Sequence, residues 1–325
     1  MQSLPPTPAD APRPGPLRRI LSWIFGLLVA YLALTVVLRF GRELSLPAIL
    51  ASVRATPTAS IAGGIGLVLS SFALLSLYDL LALRHLGQTL PYRQVLLISF
   101  LSFALGNALG SNMIAGGAVR YHLYGRRGIP ARARLGIIGF VAATTSSGLL
   151  VLIAVAGIMA QDFLHHALNL PHWSSLLVAI SSFLLLTGYL GVTLRNWQLP
   201  AWLAQRIRLP SGPTALAQVA LASLEWAVLA GLLYLLLPGA AQVGYFAILL
   251  AFLVAIFAGT VSHVPAGLGV VETTLGFLLR GQVEPEQVVA AMLVFRLLLH
   301  LLPLLLALPI GLLHLLTTPR IEAEP

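Results

Sequence analysis

Long stretches without a single charged side chain set the pattern of this sequence. Residues 20–38, 55–78, 94–119, 135–161, 163–194, 226–271 and 297–319 contain no Asp, Glu, Lys or Arg. A helix needs roughly 20 apolar residues to cross the hydrocarbon core of a bilayer. Several of these stretches suit one crossing, and 226–271 is long enough for two. The pattern predicts segments at 20–38, 60–83, 95–116, 135–159, 174–194, 214–237, 243–263, 266–281 and 288–316. The expected fold is all-α: a polytopic integral membrane helical bundle of about 7–9 hydrophobic segments.

Two of the segments are expected to be re-entrant or broken rather than simple crossings. The run 95–116 is interrupted by Gly106, Asn107, Gly110, Ser111, Asn112 and Gly116, with Gly117 following. The loop after it, 117–134, carries Arg120, Arg126, Arg127, Arg132 and Arg134 and no acid. Such a loop belongs on the cytoplasmic side. With the N-terminus inside, a full crossing by 95–116 would put that loop outside; a segment that dips in and returns removes the conflict. Irregular backbone at membrane depth is tolerated where protein or a watery cavity covers it. The alternative is a helix that uses Gly106 and Gly110 for close packing. A second interruption comes at His263, Pro265, Gly267, Gly269 and Glu272. One interrupted segment in each half is the arrangement of inverted-repeat transporters, although the halves share no convincing sequence identity.

Composition narrows the class further. The chain has 325 residues, of which 19 are basic and 10 acidic, whereas about a quarter of a soluble protein is charged. A soluble fold is excluded. Every basic residue is arginine, and the net charge of +9 is explained by the positive-inside bias rather than by nucleic acid. Cysteine is absent, which removes disulfides, thiolate metal sites and cysteine nucleophiles. Pro5, Pro6, Pro8, Pro12, Pro14 and Pro16 suit a disordered cytoplasmic tail over 1–17. A single transmembrane domain is expected over 18–317, with a short polar tail over 318–325. Arg18 and Arg19 precede a first run too long for a signal peptide and without a clear cleavage site, so it reads as an uncleaved helix. The expected location is the bacterial plasma (inner) membrane. The N-terminus and 117–134 would be cytoplasmic, as would 195–212 with Arg195, Arg206 and Arg208; 160–173, with Asp162 and no arginine, would lie outside.

Candidate chemistry lies where polar groups are expensive. Asp79, Glu225, Glu272 and Arg296 fall within or beside hydrophobic runs, at roughly 2.5–3.5 kcal/mol each near the bilayer centre. Three readings stand. The charges can pair internally, for example Arg296 with Glu272 or Glu225. They can line a polar cavity for an amphiphile, with arginines on phosphate and carboxylates on a cationic group. Glu225 and Glu272 can also relay protons. Gly116 and Gly117, followed by Arg120 and Tyr121, combine accessible backbone amides with a guanidinium, which suits a phosphate oxyanion. A glycine pair that merely lets a hairpin turn is the plainer alternative. The histidines show no metal-site spacing, and nucleotide-binding or hydrolase motifs are missing. No metal, cofactor or catalytic residue is therefore expected.

Four blocks carry a family resemblance. They are Tyr78-Asp79-Leu80-Leu81-Ala82-Leu83-Arg84 with Leu90-Pro91-Tyr92-Arg93; Gly116-Gly117-Ala118-Val119-Arg120-Tyr121 with Leu123-Tyr124; His263-Val264-Pro265-Ala266-Gly267-Leu268-Gly269-Val270-Val271-Glu272; and Arg296-Leu297 with Leu301-Leu302-Pro303-Leu304. In this order they resemble the N-terminal membrane domain of lysylphosphatidylglycerol synthase/flippase proteins, the multiple peptide resistance factor group. The resemblance implies a membrane lipid translocase for a polar-headed, aminoacylated or anionic phospholipid. It implies the translocation half without the lysyltransferase domain, hence no enzyme. The substrate-binding residues would be Gly116, Gly117, Arg120, Tyr121, Asp79, Glu225, His263, Glu272 and Arg296. Two details depart from the family: Ala266 where a second glycine is usual, and Leu299-His300 where paired tyrosines are common. The rival expectation is a non-transporting membrane partner that anchors a separate lipid-modifying enzyme, with the arginine-rich loop as the docking site.

Overall fold

The computed structural model describes residues 45–110, 112–168, 171–195, 209–262 and 264–317. The predicted helix 20–38, both tails, Ser111, Arg206, Arg208 and His263 lie outside them. Every regular element among the described residues is helical. In chain order these are α1 (Leu46–Arg54), α2 (Thr58–His85), α3 (Tyr92–Ala108), α4 (Gly117–Gly125), α5 (Ala131–Met159) and α6 (Gln161–Leu168). They are followed by α7 (His172–Leu194), α8 (Gly212–Leu236), α9 (Tyr245–Val261), α10 (Val270–Leu278), α11 (Pro285–Arg296) and α12 (Leu302–Thr317). A π-helical turn, Asn112–Gly116, leads into α4, and a second, Leu297–Leu301, joins α11 to α12. Prolines set several of the starts: Pro57, Pro91, Pro130 and Pro171 are the N-caps of α2, α3, α5 and α7. A residue without an N–H loses nothing at a helix start, where that donor is unused.

Five spans are long and apolar enough to cross a membrane: α2, α5, most of α7, α8, and α11 running on into α12. Contacts give their directions. Ser71 of α2 meets Glu225 of α8, and Gly64 meets Leu232, so α2 and α8 are antiparallel. Thr144 meets Gln218 and Gly148 meets Ala222, so α5 runs parallel to α8. Small residues let these backbones approach; a Cβ on Gly148 would collide with the backbone of Ala222. Leu298 lies on Gly64, while Leu302 and Leu306 share a groove with Phe72, so the last helix runs parallel to α2.

The remaining segments form two hairpins that do not cross. Tyr92 and Phe100 of α3 meet Ser76 and Phe72, so α3 runs back along α2. The chain then reverses. Gly106 lies against Asn112, and Gly116 is so near Ser102 that a Cβ would stand 2.8 Å from its carbonyl oxygen. Gly110, at φ +73°, takes the left-handed turn that glycine adopts without penalty. Thus 95–116 dips in and α4 brings the chain back to the face it left. The residues 117–125, expected as loop, are the returning limb, because Gly116 just before them fits against α3 and Gly117 against α5.

The second hairpin corrects the expected boundaries. The stretch 243–263 is not a separate crossing: α9 reverses through Pro265–Gly267 and returns as α10. Gly259 packs on Gly267 and Val271, closely enough that a Cβ would lie 2.9 Å from Val271 Cγ2. This hairpin opens on the face where α8 ends, opposite to the first. The two have the same construction, a 17-residue limb and a 9-residue return limb. Corresponding limbs start 153 residues apart, Tyr92 with Tyr245 and Gly117 with Val270. Each hairpin is preceded by a long span (α2, α8) and followed by another (α5, α11–α12) of opposite direction in the two halves. Among the described residues, 58–159 and 212–317 are therefore arranged as an inverted structural repeat.

Candidate functional site

Among the described residues, the intramembrane charges resolve into two ion pairs and one carboxyl without a cationic partner. Asp79 sits near the end of α2, and Arg120 projects from the return limb α4. Arg120 Nε donates to Asp79 Oδ1 at 2.9 Å and Nη2 donates to Oδ2 at 3.0 Å. Tyr124 donates its hydroxyl to Asp79 Oδ1 at 3.0 Å, and the Phe103 ring lies 4.2 Å from the Arg120 guanidinium carbon. Arg120 is 2% exposed and Asp79 0%. Such a forked pair satisfies planar groups on both sides. It also clasps the first hairpin to α2. The sequence places Arg120 among the loop arginines; the fold instead buries it, because the adjacent Gly116 and Gly117 let α4 press against α3 and α5.

The second pair does the same for the second hairpin. Arg296, the last residue of α11, donates from Nε to Glu272 Oε1 at 2.7 Å and from Nη1 to the Ala266 carbonyl at 3.0 Å. Glu272 Oε2 accepts the Gly269 N–H at 2.9 Å, capping α10. Ala266 has φ +54°, a conformation that disfavours side chains with a Cβ. The Arg296 bond to its carbonyl helps hold it there. This pair is less deeply buried, at 14% for Arg296 and 13% for Glu272.

Glu225 stands apart. It is buried in α8, and its Oε1 accepts the Ser71 hydroxyl at 3.0 Å. Arg296 bonds Glu272 and not Glu225. Ser71 and Asp79 are eight residues apart on α2, about 12 Å along the axis, so Glu225 and the first ion pair lie at different depths. The structure thus brings Asp79 to Arg120 and Glu272 to Arg296, and leaves Glu225 against the Ser71 hydroxyl. Gly116 and Gly117 lie in helical backbone and are buried. Tyr121 is 38% exposed and carries the Arg134 guanidinium on its ring, with Arg134 Nη1 donating to the Tyr121 carbonyl at 3.0 Å. Sequence reasoning missed Tyr124, Phe103 and Ser71 as partners. Tyr124 alone had a signal, since it follows Arg120 by one helical turn and shares its face.

Beside this machinery an apolar groove of about 520 Å³ runs between α2, α3 and α12. Val68, Phe72, Leu97, Phe100 and Leu306 line it, and Arg93 is its one charged lining residue. The repeat makes its position informative. Ala222, which packs on Gly148 to seal α8 against α5, corresponds at the same 153-residue spacing to Leu69, which lines the groove. One seam is closed and its counterpart is parted.

Comparison with known proteins places the chain. Residues 23–307 match the family described as the lysylphosphatidylglycerol synthase TM region. Inner membrane protein YbhN of Escherichia coli is 32% identical over 299 residues, covering 90% of each chain. An uncharacterized protein of Synechocystis sp. is 32% identical over 264 residues, 79% of this chain and 80% of that one. With its helical, doubly re-entrant membrane fold, this chain belongs to the lysylphosphatidylglycerol synthase TM region family.

Proposed function

We infer that the protein moves a polar-headed phospholipid, aminoacylated or anionic, between the leaflets of the bacterial inner membrane. The observation that carries this reading is the pair of hairpins entering from opposite faces, each clasped to a neighbouring long helix by an ion pair, fully buried in the first and partly buried in the second. Inverted-repeat transporters place broken helices at their substrate sites. Transport then consists of one half exchanging arrangements with the other. The parted seam between α2 and α12 supports this. Leu69, Leu302 and Leu306 are exposed there, so acyl chains can enter sideways while a head group follows the hairpins. In the alternate state α2 and α12 close and α5 parts from α8. Arg126, Arg127, Arg132 and Arg134 follow the return limb of the first hairpin, which makes that face cytoplasmic by the positive-inside rule.

The test is purified protein in liposomes carrying fluorescent aminoacylated or anionic phosphatidylglycerol, with leaflet exchange followed by quenching. The wild type should accelerate exchange, and Glu272→Gln and Arg296→Ala should slow it severely while remaining folded. Unchanged exchange in both variants would remove the second hairpin from the mechanism. No exchange by the wild type would remove translocation itself.

A further inference from the structure

Among the described residues, the deeply buried carboxylate without a cationic partner is Glu225. It is 4% exposed and lies near the middle of α8, 13 residues after Gly212 and 11 before Leu236. Its hydrogen-bond partner is the neutral Ser71 hydroxyl. Asp79 and Glu272, by contrast, each hold an arginine. Titratable groups on the helices packed against α8 are otherwise engaged or distant. Asp79 and Arg120 neutralise each other, Arg296 is held by Glu272 and Ala266, Tyr189 donates to Gln218, and Tyr245 donates to the Ala227 carbonyl. Tyr78 of α2 is the exception. It is fully buried, and its hydroxyl has no hydrogen-bond partner. Ser71 and Tyr78 are seven residues apart, two turns along one face of the helix.

An ionised carboxylate buried without a counter-charge is far costlier than the neutral acid, which needs only ordinary hydrogen bonds. A metal ion would demand several oxygen ligands. Glu225 accepts from one hydroxyl, Ser71, and no cluster of three or more metal-ligating side chains occurs among the described residues. The occupant that fits is a proton. Toward the base of the first hairpin, Ser76 and the exposed Tyr92 share a hydrogen bond of 2.9 Å, and Tyr78 lies two residues beyond Ser76 on α2. Ser71 and Tyr78 thus share the α2 face that meets Glu225, while Ser76 is turned toward α3.

We propose that Glu225 is a proton-binding site at the α2–α8 seam, and that gain and loss of its proton drive the exchange between the two arrangements of the repeat. The coupling part rests on the lipid-translocation reading; the proton site does not. A hydrophobic carbodiimide separates them chemically. The protonated carboxyl adds across one C=N bond, its proton going to nitrogen and its oxygen to carbon. The O-acylisourea then rearranges to a stable N-acylurea with no atom lost. In protein reconstituted in lipid, mass spectrometry should find the adduct on Glu225 and not on Asp79 or Glu272. Labelling should fall as the medium becomes alkaline and be absent from Glu225→Gln. Infrared spectra should show a protonated-carboxyl carbonyl band at neutral pH that Glu225→Gln removes and Glu286→Gln retains. A band unaffected by Glu225→Gln, or labelling indifferent to pH, overturns the site. In proteoliposomes, a pH gradient should change the rate of lipid exchange for the wild type and not for Glu225→Gln. Exchange indifferent to the gradient overturns coupling while leaving translocation intact. Labelling without any lipid exchange retains the proton site and rejects the transport reading.

Discussion

Removing Asp79 should be among the most damaging single changes in this protein. Asp79→Ala leaves the Arg120 guanidinium, 2% exposed, without its carboxylate, with only the Phe103 ring facing it. It removes the hydrogen bonds from Arg120 Nε and Nη2 and from the Tyr124 hydroxyl. Breaking a buried pair in this way costs about 3–5 kcal/mol, a factor of roughly 10²–10⁴ in the folded-to-unfolded ratio. Arg120→Ala should cost a similar amount, since it strands the carboxylate. The double variant Asp79→Ala/Arg120→Ala leaves no buried charge and should be at least about 2 kcal/mol more stable than the sum of the single effects. Reversible unfolding in mixed detergent micelles measures all four corners of the cycle. Additive effects, or a loss under about 1 kcal/mol in Asp79→Ala, would mean that the hairpin is not held by this pair.

Further outcomes follow from other contacts. Ala266→Gly should raise stability by about 1 kcal/mol by relieving the left-handed backbone, and Ala266→Val should lower it; thermal unfolding in detergent reads both. Gly148→Ala should destabilise by about 1–3 kcal/mol through the α5–α8 seam. Gly139→Ala, with open space beside it on the same helix, should be neutral or better, and equal effects in the two would refute the seam's closeness. The chain has no cysteine, so single cysteines report topology directly. Cysteines at Gln88 and Gly128, on either side of the first hairpin, should react with an impermeant thiol reagent from the same side of the membrane. Labelling from opposite sides would show that the segment crosses.

The membrane class and most spans were legible in one dimension, because hydrocarbon solubility sums along consecutive residues and a charge-free run reports it directly. The conflict between 95–116 and the arginines after it even pointed to a re-entrant turn, since topology must keep those charges on one side. The second hairpin was less visible. A 46-residue uncharged run, 226–271, has length for two crossings and nothing in its composition to say where it turns. Its equivalence to the first hairpin rests on limb lengths and direction, which survive where side-chain identity does not. Pairing was decided by tertiary structure alone. Arg296 could have met Glu225 or Glu272, and which helix faces meet determines the choice. The result leaves Glu225 against the Ser71 hydroxyl, without a cationic partner among the described residues. Hydrophobicity belongs to a segment and can be read from it; electrostatic compensation belongs to pairs 24 and 41 residues apart, and exists only once the chain has folded.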